Sequence, residues 1–115
     1  MKLKIKRGAL YLADLNPPFG TEAGKLRPVL VIQNNFFNEE GLASTWILPC
    51  TTKLKPENIL RVHLPKKSGG NSQDCDVMID QPRSIDNQRF RKALGMLPTI
   101  LFDEVVEKLR FFGGL

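Results

Sequence analysis

The strongest constraint on the fold of this chain is Arg27-Pro28-Val29-Leu30-Val31-Ile32, an apolar run entered through an Arg-Pro step. Pro28 pushes Arg27 toward extended backbone. It also suits the first residue of a strand, where a missing N–H costs least. The run through Gln33 is the most apolar in the chain and predicts a central strand. A polar loop, Thr21–Leu26, feeds it and carries Glu22 and Lys25 beside Arg27. A charged loop anchored by a buried strand is a rigid mount for a binding or reactive group. On spacing alone a plain solvated loop is the favoured reading, since exposed charges are the surface norm.

Around this run the chain reads as a series of short strands. Gly8–Leu15 is a first strand, broken by Asn16-Pro17-Pro18-Phe19-Gly20, because two prolines and a glycine cannot continue a ladder. Asn34–Gly41 leaves room for a short helical turn, and Ser44–Pro49 is a third strand. Ile59–Leu64 alternates, with Leu60, Val62 and Leu64 on a drier face and Ile59, Arg61 and His63 on a wetter one. Pro65–Ser72 reads as a turn or mobile loop. Val77–Asp80 is a fifth strand, Ser84 is placed to cap a helical turn through Arg89, and Lys92–Leu97 is a short last strand. Leu101, Val105, Leu109 and Phe112 then recur on one helical face after Pro98, with Gly113 and Gly114 as the stop. Phe102, Val106 and Phe111 widen that face, which suits a dimer contact or a cap over a barrel mouth. Evenly spaced short strands and one closing helix predict a mainly β fold, a small antiparallel barrel with a C-terminal helix.

At 115 residues the chain, 1–115, is expected to form one domain with a modest core. No apolar run is long enough to span a membrane, and MKLKIKRG lacks the features of a signal peptide, so a cytoplasmic protein is expected. The net charge of +5 favours polyanions, either nucleic acid or an acidic protein. Cys50 and Cys75 have no C-x-x-C spacing and no neighbouring His, which predicts reduced, packed thiols and no metal site. His63 is the single histidine, so a paired-histidine ribonuclease mechanism is excluded by count. Its place on the wetter face of a strand favours a structural role. Phe19, Phe36, Phe37 and Trp46 are candidates for stacking on bases, although most aromatics are core.

Three ordered blocks, GALYLADLNPPFGTEAGKLRPVLVIQNN, LPCTT and DQPRSID, together resemble the MazF/PemK (Kid-type) toxins of bacterial toxin–antitoxin systems. The resemblance covers most of the chain. It implies an SH3-like barrel of the CcdB/PemK type that forms homodimers. It implies a sequence-specific, metal-independent endoribonuclease with no cofactor, cutting single-stranded RNA, chiefly mRNA. In that chemistry the 2′-hydroxyl of the RNA attacks the adjacent phosphorus, giving a 2′,3′-cyclic phosphate and a free 5′-hydroxyl. A cognate antitoxin is the implied protein partner.

Carried over residue by residue, the resemblance makes Arg27 the first catalytic candidate and Thr51 the second. A guanidinium is always charged and grips phosphate oxygens in a fork, and a hydroxyl can donate to a phosphoryl oxygen. Glu22 is implied as base or as the orienter of Arg27. Asp80 is implied as the acidic residue of PemK-type sites, although its residue type also suits a structural Asp at a strand end. Lys25, Thr52, Lys53, Gln81 and Arg83 are the substrate-binding candidates. Two positions depart from the pattern: Met78 stands where Kid-type enzymes use an Arg, and Thr21 where the family often has His or Ser. A non-catalytic binding protein on the same barrel, like the gyrase poisons, is the alternative. Those poisons lack the Arg-Pro and Thr pair and act through C-terminal residues. A degenerate RNA-binding homologue is a third reading.

Overall fold

The computed structural model describes residues 3–17, 19–21 and 24–115. In chain order the elements are β1 (Ala9–Asp14), β2 (Leu26–Val31), α1 (Asn35–Glu39), β3 (Ser44–Thr51), β4 (Arg61–Leu64), β5 (Cys75–Met78), β6 (Arg83–Asp86), β7 (Phe90–Met96) and α2 (Thr99–Gly113). All strand pairings are antiparallel, in the order β4-β5-β3-β2-β1-β7. β3 carries two neighbours on its second side. Ser44–Ile47 pair with β6 and Cys50–Thr51 with β5. The fold is mainly β with a C-terminal helix, as the strand pattern predicts. The barrel stays open, because among the described residues no ladder joins β4 to β7.

Antiparallel register puts directly paired residues on the same face. Leu10, Leu30, Leu48, Cys50, Val62, Leu64, Cys75 and Val77 build one core, against which Leu101, Phe102, Val105 and Leu109 of α2 pack. Tyr11, Ala13, Val29, Val31, Ile47 and Met78 build a second core on the opposite face, closed by Ile85 and Phe90. The run Val29–Ile32 is buried throughout, split between the two cores. This is why it has no alternation: its neighbours β1 and β3 cover both edges, and each face has its own core.

Several local expectations shift. The segment after Pro82 is a strand, β6, and the residue that caps the following 3-10 turn, Asn87–Arg89, is Asp86, accepting from Gln88 N–H at 2.8 Å. Ser84 instead pairs with Trp46 in the ladder. The short helix α1 does form, with Asn34 accepting from Phe36 N–H at 2.8 Å. Loop 65–74 is held by Asn71, which is 1 % exposed. Its side chain accepts from Gly69 N–H and donates to the carbonyls of Pro65 and Gln73. Pro98 precedes α2 as its N-cap, and Gly114 ends it with a φ of +67°. The apolar stripe of α2 reaches the core at Leu101, Val105 and Leu109 but not at Phe112, which is exposed. Lys108 ties α2 to the start of β4, donating to the carbonyls of Asn58 at 3.0 Å and Arg61 at 2.8 Å. Among the described residues no helix is long and apolar enough to cross a membrane.

Candidate active site

The second core gives way to polar side chains at one end of its face. Ala13 pairs with Arg27, Thr51 with Asp76, and Asp76 with His63, so the residue types change from apolar to charged across neighbouring strands. A cleft of about 680 Å³ opens there between the loop before β2, the loop after β3 and the end of β5. Lys25, Arg27, Thr51, Thr52, Lys53 and Gln81 line it together. Six of the nine catalytic and substrate-binding candidates therefore share one cavity.

Arg27 is half-buried and fixed at two points. Its Nε donates to the Gly24 carbonyl at 2.6 Å and its Nη1 to the Cys50 carbonyl at 3.2 Å. Burial pulls its pKa below the ordinary arginine value, partly offset by Cys50. The group stays charged at neutral pH all the same. Thr51 is nearly buried. Its Oγ1 accepts from Lys53 N–H at 3.1 Å, which leaves the hydroxyl proton to be donated elsewhere. Lys25 has a φ of +67°, a conformation that costs a non-glycine residue about 1 kcal/mol and recurs at functional sites. Its N–H donates to Asn16 Oδ1 at 2.7 Å and its carbonyl accepts from Leu15 N–H at 2.9 Å, so both ends of the loop that leads into Arg27 are pinned.

Asp80 is exposed and lines an adjoining hollow, shared with Lys55, Asn58, Arg61, Met78 and Gln81, rather than the Arg27–Thr51 cleft itself. Arg83 sits in β6 opposite Ile47. Glu22 lies outside the described residues. Phe19, Phe36, Phe37 and Trp46 are all exposed and none lines the cleft. Cys50 and Cys75 are both free and buried. Their mutual hydrogen bond, reinforced by burial, pushes Cys50 well above the usual thiol range, so it is held protonated and is no nucleophile. Among the described residues no group of three or more His, Cys, Asp or Glu is placed to hold a metal ion.

Two residues of the site carry no signal in the three sequence blocks. Arg61 lines the main cleft, and Asp76, only 1 % exposed, accepts from it. The alternation of β4 puts Arg61 on the wetter face, but its partner becomes visible only with the β4–β5 register.

Residues 6–112 match the family described as PemK-like, MazF-like toxin of type II toxin–antitoxin system. The chain is 36 % identical over 108 residues to endoribonuclease EndoA of Bacillus subtilis (strain 168), covering 92 % of this chain and 91 % of that protein. Among solved structures it is similar to MazF from Deinococcus radiodurans, with a TM-score of 0.84 and 27 % identity over 99 % of this chain and all of the other. It shares the fold of Mycobacterium tuberculosis toxin MazF-mt6 at a TM-score of 0.76 and 20 % identity, over 93 % of this chain and 97 % of that one. The fold, the ordered motifs and these matches agree: the chain belongs to the PemK-like, MazF-like toxin family of type II toxin–antitoxin systems.

Proposed function

We propose that the protein is an endoribonuclease that cuts single-stranded RNA at the Arg27–Thr51 cleft, without a metal ion. The observation that carries this reading is that β2 and β3 bring Arg27 and Thr51 to one cavity. There a fixed guanidinium and a donating hydroxyl can both reach a phosphate. The 36 % identical relative that is named an endoribonuclease supports it. In the proposed reaction the 2′-oxygen forms a bond to phosphorus and the bond from phosphorus to the 5′-oxygen breaks. The 2′-hydroxyl gives up its proton to a base, and the leaving 5′-oxygen receives one. Arg27 and Thr51 stabilise the negative charge that builds on the phosphoryl oxygens. Glu22 and Asp80 are the carboxylates proposed for proton transfer. Lys25, Thr52, Lys53, Gln81 and Arg83 are proposed to hold the flanking nucleotides.

The family's toxin–antitoxin character makes a cognate antitoxin the proposed protein partner, and a cytoplasmic location follows from an RNA target. A homodimer is proposed on the exposed apolar side chains of Ile100, Phe111, Phe112 and Leu115 along and beyond α2. The deciding experiment incubates the purified protein with a long single-stranded RNA in EDTA and maps the new ends, with Arg27→Ala in parallel. Discrete cuts with 5′-hydroxyl ends, absent from the variant, are expected. An intact RNA would transfer weight to a non-catalytic toxin on the same fold, for which a gyrase assay comes next.

A further inference from the structure

We infer that Arg61 is a second phosphate-binding cation of the cleavage site, held in place by the buried carboxylate of Asp76. This inference rests on the ribonuclease reading above and adds to it a residue from outside the three motif blocks. Arg61 is a wall shared by three adjoining hollows: the Arg27–Thr51 cleft, the hollow of Asp80 and Gln81, and that of His63 and Asp76. A strand of RNA running from the first hollow into the second crosses it. The register explains the placement. Arg61 pairs with Met78, and Asp76 pairs with both Thr51 and His63, so Thr51, Asp76, Arg61 and His63 share one face of the sheet. The side chain of Arg61 thus stands beside the position where the family resemblance implies an Arg and this chain has Met78.

Asp76 is saturated. Its Oδ2 accepts from Arg61 Nη1 at 3.2 Å and from Lys55 N–H at 3.0 Å, and its Oδ1 lies 3.1 Å from His63 Nδ1. His63 Nε2 in turn lies 3.4 Å from Asp74. Arg61 Nη1 also donates to the Lys53 carbonyl at 3.2 Å. The carboxylate therefore fixes the guanidinium and holds the loop that follows Thr51 at Lys55, while the guanidinium itself holds that loop at Lys53. Both Arg61 bonds use Nη1. Among the described residues Nε and Nη2 keep their protons for a ligand. The carboxylate is 1 % exposed while the arginine side chain keeps 13 % of its surface exposed, so solvent reaches the arginine but hardly its counter-charge. A cation pre-set in this way loses little side-chain freedom when it grips a phosphate.

The test uses an RNA that the wild-type protein cuts, with a 2′-deoxy nucleotide at the cut position to block the reaction. Arg61→Gln should weaken its binding about tenfold. The slope of log affinity against log salt should fall by about 0.7, one phosphate contact. With cleavable RNA, KM should rise while kcat stays within about threefold. A walk of single methylphosphonate substitutions along the RNA should find one position that weakens wild-type binding and leaves Arg61→Gln unaffected. Should Arg61→Gln fail to fold because the buried Asp76 carboxylate is left unpaired, the double variant Arg61→Gln, Asp76→Asn, which removes the cation and its buried counter-charge together, is read in the same assays. A folded variant with wild-type affinity, slope and methylphosphonate profile would overturn the inference. If the wild type cuts no RNA, the ribonuclease reading fails first, and the salt slope on uncut RNA still decides whether Arg61 holds a phosphate.

Discussion

Arg27 is tied through Nη1 to the carbonyl oxygen of Cys50, the residue immediately before Thr51, at 3.2 Å. The two side chains proposed to share the scissile phosphate thus meet at one peptide unit, the Cys50–Thr51 bond. The first prediction follows. Arg27→Ala should lower the cleavage rate by about a thousandfold or more. Arg27→Lys should recover little of it, because an ammonium cannot reproduce the fork or the two carbonyl contacts. Single-turnover cleavage checks both, alongside thermal melts to show that the fold persists. A lysine variant within tenfold of wild type would mean that charge alone suffices.

Thr51 supplies the second prediction. Its backbone is in β3 and its hydroxyl accepts from Lys53 N–H, so Thr51→Val removes both the donor and a loop anchor. Cleavage is expected to fall about a hundredfold, and Thr51→Ser should restore most of it because the oxygen stays in place. If Thr51→Val cuts as fast as wild type, the hydroxyl plays no part in the chemistry.

What the sequence made legible was whatever depends on neighbours along the chain. The run Val29–Ile32 announced a strand buried on both faces, and Leu101, Val105 and Leu109 announced the packed face of α2. What stayed hidden depends on neighbours across the sheet. β6 looked like a helical turn because Ser84 and Asp86 are helix-capping residue types, and only the pairing with Ser44–Ile47 makes them a strand. Loop 65–74 looked mobile by composition, yet a single buried Asn71 organises it. The candidate site divides in the same way. Arg27 and Thr51 stand in motifs, whereas the bond between Arg61 and Asp76 spans two strands and leaves no trace in spacing.

Alkaline stability should depend on Tyr11. Its hydroxyl donates to the Lys4 carbonyl at 2.6 Å and accepts from Lys6 N–H at 2.9 Å. Burial raises its pKa above the ordinary value of 10.0, with the Lys6 bond opposing. The folded state thus holds the proton more tightly than the unfolded state does. The resulting stability is complete below the unfolded pKa and is lost as pH rises above 10.0 toward the folded pKa. Tyr11→Phe should cost about 1–2 kcal/mol at neutral pH and flatten the decline above pH 10.0. Urea melts across that range test this, and an unchanged slope in the variant would assign the decline to other groups.

Leu109 lies on the face of α2 that packs against the first core. Leu109→Asp puts an unpaired carboxylate against that core from a half-buried position. A loss of about 3 kcal/mol or more is expected, with the midpoint of thermal unfolding falling by 10 °C or more. A variant that melts like wild type would show that α2 is not docked on the sheet through this side chain.

Gly70 gives the sharpest test of the loop that joins β4 to β5. Its φ is +83°, and a Cβ added there would lie 2.3 Å from the Leu94 carbonyl oxygen and 2.6 Å from its carbon. The obstacle is backbone in β7, so no side-chain rotation relieves it. Gly70→Ala must either push β7 away from the loop or change the φ of residue 70, and the second route disturbs the turn in which Asn71 bonds Gly69, Pro65 and Gln73. A loss of about 2–4 kcal/mol is expected, beyond the usual cost of a left-handed alanine. The first amides to lose hydrogen-exchange protection should be those of the Asn71 turn, Lys67 and Gly69. A Gly70→Ala protein with wild-type stability would mean that the loop and β7 do not approach each other so closely, and that Asn71 organises the loop without support from the sheet.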